Sequence, residues 1–366
     1  MTAPFRNKLP QGKIWFLALM LMVVTGWQVA LPDEAAPKNL LSEYGFFKGP
    51  LANMQPAEQV FPYEVNAPLF SDYAEKARFI ALPAGQKMTY HPDQAFEFPV
   101  GAVLIKNFYF YHEAAHPEKG RRILETRLLI KEEKGWKALE YLWNDEQTDA
   151  VLEVAGASFP FQWVDAGGKS QSIQYIAPNL NQCKGCHSYD GKFVPLGATA
   201  RQLNRAVDAS NHAENQLVYW NKAGWLDLPA DFDAAAAPRL ADYRHPAESP
   251  ANPAFSDPLT ASARAYLDAN CGHCHNAHGP ASTSGMFLDI FETNPERLGV
   301  NKTPVAAGRG SGNRRFGIVP GKPQESILVY RMENGEPGVR MPELGRQLEH
   351  REGVELIKNW IRQMHP

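Results

Sequence analysis

Cysteine is scarce in this chain: four residues in 366. Four thiols leave nothing over for a disulfide framework once both pairs are otherwise engaged. An excess of one charge is missing too. Thirty-seven Lys and Arg stand against 40 Asp and Glu, a net charge of −3. The first 31 residues carry three bases and no acids, so the remainder is more acidic still. No basic stretch occurs, which excludes a nucleic-acid backbone as the expected partner. Long apolar runs are absent beyond residue 31, so association with a membrane is expected only through residues 14–31.

What is present is placed with unusual economy. All four cysteines fall in two copies of one pattern, Cys183-Lys184-Gly185-Cys186-His187 and Cys271-Gly272-His273-Cys274-His275. C-x-x-C-H is the attachment signature of a c-type haem. Two sulfurs form thioethers to the former vinyl groups of the porphyrin, and the adjacent imidazole binds iron from beneath. A zinc ribbon also pairs C-x-x-C units, but its halves lie about 15–20 residues apart; here Cys186 and Cys271 are 85 positions apart. A thioredoxin-like site needs one such motif beside a βαβ pattern, and no such pattern is visible. A structural disulfide needs no histidine after the second cysteine, yet both copies have one. The motifs therefore predict two covalently attached c-type haems, held by Cys183, Cys186 and His187 and by Cys271, Cys274 and His275.

The N-terminus agrees with that chemistry, because covalent haem attachment takes place on the exported side of the bacterial inner membrane. Arg6, Lys8 and Lys13 precede a wholly apolar stretch from Ile14 to Val24, the layout of a secretory signal. Apolar character continues, interrupted, to Leu31, just long enough for a spanning helix. Residues 1–31 are thus expected to be a signal peptide or an uncleaved anchor, and the protein periplasmic, free or tethered to the inner membrane.

Beyond residue 31 the texture changes three times. Residues 32–60 are rich in Pro, Ala and Gly and suit a linker or wrapping segment. From about 60 to 178 the pattern is β: Phe98–Tyr111, Arg122–Lys131, Trp136–Trp143 after a turn at Glu133-Lys134-Gly135, then Val151–Val154, Phe159–Val164 and Ser172–Ile176. Helical segments are expected around Ala198–Val207 and Glu214–Ala223, followed by a Pro/Ala-rich connector over 229–258. In 257–366, Leu259, Ala263, Tyr266 and Leu267 recur at helical spacing into Cys271. Pro323–Arg331 and Glu349–Met364 read as two further helices. The expected fold class is α+β, with an antiparallel β-rich domain (32–180) carrying the first motif, a motif segment and connector (181–256), and an all-α domain (257–366).

Met341-Pro342 lies 66 residues after His275. With the flanking helices, these features make residues 257–366 resemble a class I cytochrome c domain. That resemblance implies His275 as the proximal iron ligand and Met341 as the distal one, a pairing that raises the reduction potential. Met286 is the rival and is expected to pack. The β segment with Phe98-Pro99-Val100-Gly101-Ala102-Val103-Leu104-Ile105-Lys106 resembles cytochromes that hold a lysine-crosslinked haem on an antiparallel sheet. For Lys106 itself, a surface lysine is the plainer reading. More broadly, residues 121–127, 141–144, 181–183 and 201–205 resemble a family of proteobacterial exported dihaem cytochromes, which implies an exported haem protein and supplies no substrate. Dihaem peroxidases have two helical halves, a pattern from which this chain departs.

The sixth ligand of the first iron stays open among His212, His245, Met54, Met88, His91, His112 and His116, or is absent. Lys302, Arg309, Arg314 and Arg315 form a basic, glycine-rich loop, read as solvated, as docking an acidic partner, or as bonding haem carboxylates. The expected function is electron transfer between redox partner proteins. The alternative is a haem redox enzyme, its first haem catalytic and its second an electron port. Replacing Cys183 and Cys186 with Ala should leave one haem per chain by pyridine haemochrome assay; two remaining would remove the first motif as an attachment site.

Overall fold

The computed structural model describes residues 36–209, 212–246, 255 and 257–365. Residues 1–31, read above as a signal or anchor, lie outside the described residues. No helix among the described residues is long and apolar enough to cross a membrane.

Period-two alternation of β-branched and aromatic residues builds the main element, a six-stranded antiparallel sheet. Its strands are β1 (Val60–Pro62), β2 (Glu75–Ala81), β3 (Val103–Tyr111), β4 (Arg121–Glu132), β5 (Gly135–Trp143) and β6 (Ala150–Glu153), neighbours in chain order. The tight turn at Glu133-Lys134 pairs Glu132 with Gly135 and fixes the β4–β5 register. One face buries Phe79, Ile105, Leu128 and Tyr141 under the wrapping segment, which contributes Leu41, Phe46, Phe47 and Leu51. The polar groups on that face are satisfied internally: Thr126 donates to Asn107 Oδ1 at 2.6 Å and Trp143 Nε1 donates to Thr126 at 2.9 Å.

The other face is apolar only at its ends. At one end Ile80 and Leu104 pack with Leu203, Leu217 and Trp220. At the other, Phe108 and Phe110 meet the hairpin β7 (Ala157–Val164) and β8 (Ser170–Ala177), where Phe110 lies 4.8 Å from the rings of Phe161 and Trp163. The centre of this face is charged.

Three of the helices that follow start at side-chain caps. Asn179 accepts from Gln182 N at 3.0 Å to open α1 (Leu180–Cys186). Asn215 caps α2 (Gln216–Lys222), and Asp257 caps α3 (Pro258–Leu267) through Thr260 N at 2.8 Å. α3 runs into a π turn, Asp268–Gly272, that contains Cys271. α4 (Ile327–Glu333) and α5 (Arg351–Gln363) complete the set. A Cβ at Gly353 would strike the Tyr266 ring, so a glycine is required where α5 crosses α3.

The expected partition into a β domain and an all-α class I cytochrome c domain is corrected here. The molecule is strand-rich, 28% against 23% helix. Among the described residues, 257–365 hold three α-helices of ten, seven and thirteen residues, separated by turns, 3-10 segments and isolated bridges such as Val300–Ile318. Glycine and proline recur from Gly272 to Gly345 and remove helix propensity and backbone donors between these pieces. The helix expected over Ala198–Val207 covers only Ala200–Leu203; it ends at Asn204, and a hairpin of Ala206–Ala209 with His212–Asn215 follows. The described part of the proline-rich connector packs rather than links, with Ala237, Leu240, Ala241 and Tyr243 buried.

Residues 37–366 form one compact unit. Asp72 Oδ1 accepts from Gln347 N at 2.6 Å and Leu348 N at 2.7 Å, and Phe70 N donates to Asn270 Oδ1 at 2.8 Å. Arg201 Nε meets Asp268 Oδ2 at 3.0 Å in a largely buried pair, and Asp268 Oδ1 also takes Ile290 N at 2.9 Å. Asp268→Ala leaves the Arg201 charge without its carboxylate and should cost about 3–5 kcal/mol. Urea unfolding of the purified protein measures it; a loss below about 1 kcal/mol contradicts the assignment.

Candidate functional site

The fold brings the two C-x-x-C-H motifs together. Cys186 ends α1, and Cys274 follows the π turn after α3. The donor atoms of Cys186, His273 and Cys274 lie within 4.8 Å of one another. Cys274 Sγ approaches Gly185 O at 3.6 Å, a contact across 89 positions of sequence. Just outside, Asp190 N donates to His278 O at 3.0 Å, the His278 Nδ1–Asp190 pair closes at 2.9 Å, and the His278 ring stacks on Tyr189. A Cβ at position 272 would come within 2.9 Å of Asp289 Cα, so Gly272 is what lets the 288–289 strand of chain pass under the second motif.

Both motif histidines are prepared in the same way. His187 Nδ1–H donates to Val194 O at 2.9 Å, and His275 Nδ1–H donates to Met286 O at 3.2 Å. A carbonyl on Nδ1 fixes the tautomer and leaves Nε2 with a free lone pair, the arrangement of a metal-binding imidazole. Burial keeps both rings neutral: it pushes His187 down to about 4, and His275 in the same direction. The thiols differ from one another. Burial raises Cys183 to about 11 and Cys271 to about 12. Hydrogen bonds from Cys274 and His273 hold Cys186 well below the thiol range, while Cys274 is pushed up by the same contact.

A cavity of about 1160 Å³ opens beside the first motif, lined by Cys183, Cys186 and His187 from one side and by the charged centre of the sheet from the other. That exceeds the roughly 300–1,000 Å³ usual for small-molecule sites. Two cysteines, a neutral imidazole with its Nδ1 satisfied and a large adjoining space fit a covalently attached macrocycle. At the second motif the donor set is the same. Met341 lies with Phe70, Tyr266, Asn270, Arg346 and His350 around a separate cavity of about 10 Å³, the room of a single water, which Cys271, Cys274 and His275 do not line. The Met341 loop is fixed by its main chain, which donates to Arg331 O at 2.9 Å and accepts from Arg346 at 2.8 and 3.1 Å. Met286 packs against the core around α3 and against Gly299.

Of the other candidate ligands, Met54 and Met88 are buried in separate cores. His91 accepts from Asp93 N and Gln94 N, His116 pairs with Glu118, and His245 is exposed and pairs with Asp242. The His212 side chain lies outside the described residues. Among the described residues, the histidines lining the large cavity are His187, His273 and His278. His273 occupies a variable position of the second motif and was invisible to motif reasoning for that reason. The basic loop is largely engaged: Arg309 pairs with Glu336, Arg314 bonds Gln324 O at 2.7 Å and covers Tyr330, Arg315 covers Phe316, and Lys302 bonds Gly285 O. Lys106 is no outward-facing lysine; it lines the large cavity with its ammonium 4.7 Å from the Phe108 ring.

No family model matches the chain, and comparison with curated proteins and with solved structures returned no match.

His350 carries no motif and escaped the sequence reading. Its ring stacks on Phe70 at 4.2 Å and its Nδ1 lies 3.2 Å from Tyr266 Oη. Burial pushes it down to about 4. A histidine depressed in the folded state binds its proton more tightly when unfolded, so its contribution is full above the unfolded value near 6.5 and is lost as pH falls toward 4. The loss is on the order of 3 kcal/mol for the full shift. His350→Phe should flatten the pH dependence of unfolding between pH 6.5 and 4; an unchanged slope would reject the assignment.

Proposed function

We propose that this protein is an exported dihaem c-type cytochrome that passes electrons between redox partner proteins. The observation that carries the reading is the paired geometry: two C-x-x-C-H motifs in contact, each histidine held by a backbone carbonyl on Nδ1. Cys183, Cys186 and His187 would hold one haem, and Cys271, Cys274 and His275 the other, with Met341 as distal ligand of the second. The haems, when bound, supply one-electron chemistry at iron.

The chain's own contribution is position and environment. The Val194 and Met286 carbonyls orient the imidazoles and raise their basicity. The Cys186–Cys274 approach supports two points of attachment side by side, which would keep the path between two redox groups short. The buried surroundings of His187 and His275 hold the rings neutral and ready to ligate. Residues 14–31 would direct export to the periplasm, as a cleaved signal or a retained anchor, and the mildly acidic remainder suits docking to small redox proteins.

The large cavity beside His187 supports one alternative, a haem redox enzyme whose first site admits a small substrate. Exogenous ligands separate the two. Two low-spin haems that refuse cyanide and carbon monoxide favour the carrier; a high-spin, ligand-accessible fraction favours the enzyme. The Cys186, His273 and Cys274 donors also suit a transition metal such as zinc, a reading that competes for the same sulfurs. Metal analysis giving zinc, with no covalent haem, would overturn the proposal. Met341→Ala should lower the reduction potential of the second haem and open it to added ligand, read by spectroelectrochemical titration; an unchanged potential rejects Met341 as ligand.

A further inference from the structure

The polar centre of the sheet is a row of three basic residues in direct cross-strand register. Arg78 on β2 pairs with Lys106 on β3, and Lys106 pairs with Arg127 on β4. All three side chains line the large cavity beside the first motif. Like charges directly opposite one another on a sheet repel, and the arrangement is destabilising unless something negative meets it.

The protein supplies little of that negative charge. Arg127 pairs with Glu125, whose carboxylate is already shared with Tyr175 Oη at 2.8 Å. Glu140, the next position in the row, faces Arg127. Burial and the charge of Glu125 push its carboxyl above the usual range, just as burial and the charges of Arg78 and Arg127 push the Lys106 ammonium down. Arg78 is 8% exposed, makes no side-chain hydrogen bond, salt bridge or ring contact among the described residues, and feels the Glu64 and Glu75 carboxylates only at a distance. Arg127 Nε is buried and also lacks a partner. Among the described residues, the Lys106 ammonium lies over the face of Phe108, which Arg127 shares at 4.3 Å, and feels Glu125 at a distance. The row spans two strand spacings, on the order of 10 Å. Two guanidinium forks and an ammonium along that length present donors that match the oxygens of carboxylates and oxyanions.

We propose that Arg78, Lys106 and Arg127 form an anion site on the wall of the cavity, taking carboxylate or small oxyanion groups. Two sources share that chemistry: the carboxylates of a haem attached at Cys183 and Cys186, and a free oxyanion entering the cavity. The site rests on the proposed function only for the first source.

The test uses the purified holoprotein, with haem content measured separately, and the variants Arg78→Gln and Lys106→Gln. Inorganic phosphate is the probe for a free oxyanion, followed by isothermal titration calorimetry. Phosphate binding to the wild type, weakened about tenfold or more in either variant as expected on losing a charge-assisted hydrogen bond, establishes the site and assigns it to a free anion. Absence of phosphate binding, together with a lower potential of the first haem and a shifted propionate vibration in resonance Raman spectra of either variant, establishes it for the haem carboxylates. Two haems per chain with no phosphate binding, and potentials and spectra unmoved in both variants, overturns the anion site and leaves the cytochrome reading standing. A chain without haem overturns the cytochrome reading, and phosphate then decides the anion site alone. If one variant does not fold, the other carries the same comparison.

Discussion

The approach of Cys186 to Cys274, their donor atoms within 4.8 Å, is the constraint that the surrounding contacts serve. It joins the end of α1, which follows directly from the β-rich half, to the turn after α3, which opens the C-terminal segment. The contact is not left to the thiols. Arg201–Asp268, the Asn270 bond to Phe70, and the Asp72 grip on Gln347 and Leu348 all cross between the same two parts of the chain. Each of these is a directional bond in a largely buried setting, where a misplaced partner is costly. The placement of the motifs is therefore over-determined by polar contacts around them. That is what a site needs when atoms from distant parts of a sequence must be held to within a few tenths of an ångström.

The sheet serves this arrangement with a division between its faces. The face under the wrapping segment is an apolar core whose few polar groups, Asn107, Thr126 and Trp143, satisfy one another. The opposite face is apolar at its ends and cationic at its centre, and the centre looks into the cavity beside His187. A strand that alternates by two cannot place a charge at Lys106 without also placing its cross-strand partners, Arg78 and Arg127, on the same side. The departure from a purely apolar sheet face is thus concentrated at the candidate site, where conflicts between folding and function are expected to lie.

The sequence made some of this legible and concealed the rest for identifiable reasons. The strands from Val103 to Ala177 could be read because long alternating runs are bounded by unambiguous turns such as Glu133-Lys134. Both motifs could be read because their spacing is a chemical requirement. The C-terminal segment was misjudged as an all-α domain: Leu259–Leu267 and Glu349–Met364 do carry helical periodicity, but the glycines and prolines between them set the character of the stretch. The meeting of Cys186 with Cys274 and His273 depends on tertiary contacts that no local pattern encodes. In the sequence Lys106 reads as a surface lysine, because burial on a sheet face depends on what covers that face. His350 and Arg78 were missed for the same reason, since neither sits in a motif and their surroundings come from distant elements.

The proposed chemistry requires both motifs to carry a thioether-linked haem. Intact mass of the mature chain, purified from a host competent in c-type haem attachment, tests this most directly when followed by peptide mapping. Two haem equivalents, one on the peptide containing Cys183 and Cys186 and one on that containing Cys271 and Cys274, is the predicted result; an unmodified polypeptide contradicts it.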